Sequence, residues 1–375
     1  MKQIKQNILK FCALMTFLCL SCGLAASEAD KLVLMVVSGY GQQQGEAAPG
    51  YEFDEFAKAY LVFKTHGVMV DIASPQGGAV EADAYDPNKP YNTLVLNDPA
   101  IMAKLHNTLS TAKVDASQYH GIFIVGGKGA MFDLPKDKPL KKLIGDIYQQ
   151  QGSVAAVCHG PAALVDVKLA DGSYLVANKV VNSFTNQEEQ LFGKKWLTKF
   201  EFMLEDKLVE RGGMFQSSAS MLSHVAVDER LITGQNPTST VAVATELVKS
   251  LGIKPIEMAQ HKDDRTLKLV AEILAGNNAA EIELTNNPEL YQIELVGMYG
   301  YYYLNTAETE KELLNALSLM TIAQKAINNP RLDMQIAKTQ HKLGDKSGAT
   351  ATLKQILLNK PDFEPALDML KSLAL

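Results

Sequence analysis

From Lys31 onward the chain alternates short aliphatic runs with longer stretches of helical period. KLVLMVVS is followed by EFAKAYLVFKTHG and VMVDIAS, and later by GIFIVGG, SVAAVCHG and VVNSFT. Unbroken Val/Ile-rich runs of this length read as strands buried on both faces, and the helical stretches between them supply parallel crossovers. The prediction is an α/β fold with a doubly wound, mostly parallel sheet of flavodoxin-like type. SHVAVDERLITG predicts a closing hairpin, followed by a helix opened by Pro237 that runs to about Gly252. Beyond Lys254 the strand-like runs stop and helical periodicity continues to Leu375, which predicts a smaller all-α domain with its boundary at 254–262.

Within that second part, Ala337, Gly344, Ala349, Leu353 and Pro361 fall at the small, turn, small, apolar and proline positions of a 34-residue helical hairpin, and the stretch resembles a tetratricopeptide repeat. Stacked hairpins need about three units to bury their faces. The remaining helices, including Tyr299 to Tyr303, are expected to supply the rest. The region reads equally as a helical cap packed on the first domain or as a groove for a protein partner.

The N-terminus reads as an export signal. Lys2, Lys5 and Lys10 form a positive segment, Phe11 to Leu20 an apolar one too short to span a bilayer, and Gly23, Ala25 and Ala26 suit cleavage. An uncleaved anchor and a lipoprotein box at Leu18 to Cys22 are the alternatives. The expected layout is a signal at 1–26, an α/β domain at 30–253, a linker with helices at 254–290, and the repeat-like region at 291–375. The location expected is periplasmic.

Cysteine usage changes the picture further. Cys12, Cys19 and Cys22 lie in the signal segment, so Cys158 alone remains in the mature chain and has no internal disulfide partner. In an oxidising compartment a lone thiol is either buried and inert or kept for its chemistry. The 375 residues are 47% hydrophobic and carry a net charge of -6, with no clustered Lys/Arg excess, which argues against nucleic acid and for small molecules or proteins as partners.

SVAAVCHGPAAL sets Cys158 at the end of a buried strand, before a turn and with Pro161 at a first helical position. That is the arrangement of a nucleophile elbow, with the thiol at the carboxyl edge of the sheet where open α/β folds bind ligands. The positive end of the next helix is expected to favour thiolate. A cysteine packed as a small hydrophobe is the plainer alternative; His159, Gly160 and Pro161 are poor strand residues and argue against it. His159 is the natural base, although adjacent side chains on a turn can diverge. The 42 acidic residues offer no choice of carboxylate by periodicity alone.

VVSGYGQQQGEAAPGYEFDEFAKAYLVFKTHGVMVDIASPQGG, GIFIVGGKGAMFDL, AAVCHGPAAL, NSFTNQEEQLFG, FMLEDKL and LITGQNPTST, in this order, resemble the DJ-1/PfpI superfamily, and within it the heat-shock chaperone and glyoxalase III branch on a class I glutamine amidotransferase-like fold. The resemblance spans roughly Lys31 to Leu251. It implies Cys158 as nucleophile, His159 as its partner and Glu55, five positions after Gly50, as the acid beside the thiol. Glu189 would orient the histidine, with Glu188 its competitor, while Glu52 and Asp54 compete with Glu55. Backbone N–H groups near Gly127 and His159 would form an oxyanion pocket, with Lys128 beside the substrate.

Two positions depart from the branch. Lys128 stands where histidine is usual, which weakens a metal-site reading, and Ala59 stands where proline is common. The resemblance implies a cofactor-independent conversion of methylglyoxal to D-lactate without glutathione, and a homodimer. No nicotinamide, metal or phosphate cofactor is called for, and GGKGAM lacks the spacing of a phosphate-binding loop. Two other readings stand beside it: a stress chaperone docking chains on the C-terminal helices, and a thiol hydrolase acting as deglycase or peptidase.

Overall fold

A computed structural model describes residues 31–373; the expected export signal at 1–26 lies outside them. The strands are β1 (Leu32–Val36), β2 (Met69–Ser74), β3 (Leu109–Ser110), β4 (Gly121–Ile124), β5 (Ser153–Val157), β6 (Val180–Val181), β7 (Met214–Phe215), β8 (Val225–Asp228) and β9 (Leu231–Gly234). The main sheet runs in the order β3-β2-β1-β4-β5-β9-β8. Every pairing is parallel except the β8–β9 hairpin, in which Val227 faces Ile232.

Helices α1 (Phe53–Thr65), α2 (Pro90–Leu96), α3 (Pro99–His106), α4 (Lys138–Gln149), α5 (Asn186–Phe192), α6 (Leu204–Glu210) and α7 (Thr240–Ser250) flank the sheet. The central strands are buried throughout, β4 and β5 at every residue. Alternate side chains feed two cores: Met35, Phe123 and Ala155 face one side with Phe56 and Phe63 of α1, and Leu34, Ile122 and Val154 face the other with Leu140 and Ile144 of α4. Two-sided burial explains why these strands are apolar without alternation.

VVNSFT behaves differently from its expectation. Only Val180 and Val181 form a strand, and they pair with β7 in a separate two-stranded sheet. The next residues leave the ladder because their polar groups bond elsewhere: the Asn182 N–H donates to Thr233 Oγ1 at 2.9 Å, and Asn182 Nδ2 to the His224 carbonyl at 3.1 Å. The helix expected from Pro237 opens as a 3-10 turn at Pro237–Ser239 and continues as α7.

After α7 the chain crosses to Lys262 without regular structure and then forms α8 (Lys262–Leu274), α9 (Asn278–Asn286), α10 (Ile293–Thr306), α11 (Glu310–Gln324), α12 (Pro330–Lys342), α13 (Lys346–Asn359) and α14 (Glu364–Leu373). A third core joins α8, α10, α11 and α12 through Val270, Val296, Leu319 and Ile336. Leu222, from the loop before β8, is buried in that same core. The fold is therefore a mostly parallel α/β sheet followed by an all-helical region.

Candidate active site

The chain turns sharply at Cys158. Its φ of 59° is left-handed, a conformation that strains a side chain bearing a Cβ and marks functional turns. The strain is held by bonds on both sides: the Cys158 N–H donates to the Gly234 carbonyl at 2.8 Å, and its own carbonyl accepts from Phe184 N–H at 2.9 Å. Cys158 thus projects from the carboxyl end of β5, between β4 and β9. It is 3% exposed. The chain leaves the elbow through a five-residue 3-10 turn, Gly160–Leu164, with Pro161 in its first positions, and not through the α-helix expected there. The dipole of that turn is correspondingly small.

The elbow brings three side chains together. His159 Nδ1 lies 3.3 Å from Cys158 Sγ, and His159 Nε2 lies 2.7 Å from Glu189 Oε1. With Nε2–H donating to the carboxylate, Nδ1 faces the sulfur as an acceptor. The imidazole is fixed by packing as well, its ring centroid 4.5 Å from Phe184 and 6.1 Å from Phe200. His159, Glu55 and Glu189 are all buried.

Glu189 comes from α5, whose start is specified by sequence. Thr185 and Glu188 form a capping box: Glu188 N–H donates to Thr185 Oγ1 at 3.1 Å and Thr185 N–H to Glu188 Oε2 at 2.9 Å. Of the two adjacent carboxylates, Glu189 therefore meets the histidine and Glu188 holds the helix start. Asp54 is likewise removed from competition with Glu55, because Lys89 and Asn92 bind its carboxylate.

Glu55 reaches the thiol from α1. Its Oε2 accepts from Gly126 N–H at 2.7 Å, while Oε1 is buried with no nitrogen or oxygen partner, and the carboxyl's remaining interaction is with Cys158. Gly126 can make this approach only as glycine, since a Cβ there would stand 2.7 Å from both Cys158 Cβ and Glu55 Oε2. Burial, reinforced by Glu52, holds the Glu55 carboxyl well above the usual carboxylate range, which favours its neutral form.

Burial also pushes the Cys158 thiol upward, contrary to the depressed value expected from the elbow; the Gly127 N–H pulls it back. A neutral Glu55 can donate to sulfur, and a thiolate gains in stability once His159 takes the thiol proton.

Lys128 opens the turn after β4, partly exposed; burial raises the carboxyls of Glu52 and Asp83, and the Lys128 charge offsets part of that rise. Asp83 belongs to no motif seen in the sequence. It accepts from Gly50 N–H at 2.6 Å, its own N–H donates to the Tyr51 carbonyl, and its carboxyl feels His159. Nothing in EADAYDP marks it, because its role depends on a contact with the 50–51 backbone made across the fold. Among the described residues no group of three or more His, Cys, Asp or Glu is arranged to hold a metal.

Residues 47–250 match the DJ-1/PfpI family. The chain is 31% identical over 245 residues to the glutathione-independent glyoxalase hsp3101 of Schizosaccharomyces pombe, a match covering 60% of this chain and 96% of that protein. It is 29% identical over 237 residues to the glutathione-independent glyoxalase HSP31 of Saccharomyces cerevisiae, covering 60% and 99%. Among solved structures, the Rapid Encystment Protein 24 KDa of Francisella tularensis superposes with a TM-score of 0.55 at 33% identity, covering 59% of this chain and 99% of that one.

Proposed function

The chain belongs to the DJ-1/PfpI family, and we propose that it is a glutathione-independent glyoxalase of the glyoxalase III type, converting methylglyoxal to lactate with Cys158 as nucleophile. The observation that carries this reading is the continuous array Glu55–Cys158–His159–Glu189, with each reactive atom within bonding reach of the next. Its similarity to named glyoxalases over nearly their whole length supports the substrate class.

The chemistry balances without any outside oxidant. His159 takes the thiol proton and the thiolate adds to the aldehyde carbon, while the neutral Glu55 protonates the new oxyanion to give a hemithioacetal. The Glu55 carboxylate then removes the hydrogen from the former aldehyde carbon. His159 returns its proton to the neighbouring carbonyl oxygen, and an enediol results. Reprotonation of the second carbon by Glu55, with His159 taking the remaining hydroxyl proton, leaves a lactoyl thioester. The first carbon has been oxidised and the second reduced by the same two electrons. Water cleaves the thioester, His159 protonates the departing sulfur, and lactate leaves as Glu55 regains its proton.

The test is glutathione-free consumption of methylglyoxal with lactate detected, in wild type and in a folded Cys158→Ser variant. The variant is expected to lose activity to background and Glu55→Gln to fall by roughly 10²–10⁴-fold, the usual worth of a positioned acid/base. Turnover by Cys158→Ser at the wild-type rate would remove the cysteine from the mechanism.

A further inference from the structure

The carboxylate that holds His159 sits on a helix with an unusual anchorage. α5 has seven residues, and the two it buries fully are Glu188 and Glu189. A short helix is ordinarily kept in place by an apolar face packed on the core; here the core-facing positions are charged. Its other fastenings are Phe192 packed on the edge of the sheet-domain core, polar contacts, and a contact with the helical region. Glu188 Oε1 accepts from Met221 N–H at 2.6 Å and from Asn236 Nδ2 at 2.8 Å, so α5 holds the loop whose Leu222 enters the helical core.

The apolar end of α5 is covered from the same side. The Phe192 ring meets Tyr302 of α10 edge to face with centroids 4.8 Å apart. Between them and Leu191, Met221 and Tyr299 lies a small cavity of about 20 Å³. Tyr299 is buried there with its hydroxyl unpaired, and the charge of Glu188 reaches it. α10 thus adds a second apolar seat for α5, beside the packing of Phe192 on the sheet-domain core.

We infer that the helical region is a working part of the active site: α10, through Tyr302 on Phe192, fixes the helix that carries Glu189, and so sets how firmly His159 is held against Cys158. Tyr302 is a positioning residue that acts through Phe192 of α5. The inference concerns the Cys–His–Glu array itself and stands whatever the substrate is.

The experiment uses the full chain with Tyr302→Ala and Tyr302→Phe. Hydrogen exchange of the α5 amides reports whether the seat is loosened, and the pH profile of Cys158 alkylation by iodoacetamide reports the array without reference to glyoxalase activity. In Tyr302→Ala, α5 exchange is expected to quicken, alkylation at pH 7 to fall about tenfold with its midpoint moved to higher pH, and any turnover to fall in kcat with KM within about twofold. Tyr302→Phe, which keeps the ring, should match wild type. Faster α5 exchange with an unchanged alkylation profile would overturn the proposal, and so would unchanged α5 exchange. Inactivity of the wild type toward methylglyoxal, with the alkylation shift present, would overturn the proposed function and leave this inference standing.

Discussion

At the scale of single residues, the charge state around Cys158 depends also on a carboxyl that does not bond to the thiol, that of Glu52. Glu52 precedes α1 without using its side chain as a cap. Burial, with help from Asp54 and Asp83 and against Lys128 and Lys89, pushes its carboxyl up to about 7. An acid raised in the folded state contributes stability that is complete below its unfolded value near 4.5 and is lost as pH rises through about 7. Glu52→Gln removes that loss, so its thermal midpoint should exceed wild type at pH 8 and match it near pH 4. An equal difference at both pH values would show that Glu52 does not titrate in this window. Ionised Glu52 also adds negative charge near Glu55, second to burial in raising its carboxyl. None of this was readable from GYEFDEF, where Glu52, Asp54 and Glu55 look alike. Their separation comes from Lys89 and Asn92 on Asp54 and from Gly126 on Glu55, contacts made only when the chain folds.

At the scale of elements, what the sequence showed were features whose cause is local. Continuous aliphatic runs became β1, β2, β4 and β5, and SVAAVCHG became a strand and elbow, because burial on two faces and a turn after Cys158 both leave a mark within a few residues. β3 has two residues, and VVNSFT left the main sheet for bonds to Thr233 and His224; both outcomes depend on distant partners. The turn after β4 combines the two kinds of cause. Gly127 has a φ of +92°, and a Cβ there would lie 2.4 Å from Glu52 N and 2.7 Å from Tyr51 Cα. Those obstacles are backbone, so no rotamer change relieves them. Gly127→Ala should therefore displace the N–H that reaches Cys158, lowering alkylation of the thiol at pH 7 and costing about 1–3 kcal/mol of stability in urea unfolding. Wild-type values for both would mean that the turn yields easily and is not the rigid donor described.

At the scale of the molecule, α1 is tied to the helical region as α5 is. Lys58, one turn after Glu55, is buried with its ammonium 2.9 Å from Asp263 Oδ2 and 2.6 Å from Asp264 Oδ1, both on α8. Tyr91 shares Asp263, donating to it at 3.0 Å, and the Lys58 ammonium lies over its ring. Burial alone would lower the Lys58 ammonium, but the two aspartates outweigh it and hold it above its ordinary value. Loss of this cation leaves two half-buried carboxylates side by side without a neutralising charge. Lys58→Met should cost about 3 kcal/mol, the lower end for breaking a buried ion pair. The loss should also appear as lost cooperativity. Trp196, the chain's single tryptophan, lies in the α/β part with its ring centroid 6.0 Å from that of Phe132, whereas far-UV circular dichroism weighs helices from both parts. Wild-type urea transitions followed by the two signals should coincide, as one cooperative unit requires. In Lys58→Met the circular dichroism transition should begin at lower urea than the Trp196 transition, because the helical region has lost a fastening to the sheet domain. Coincident curves with an unshifted midpoint would show that this ion cluster contributes nothing to joining the two parts.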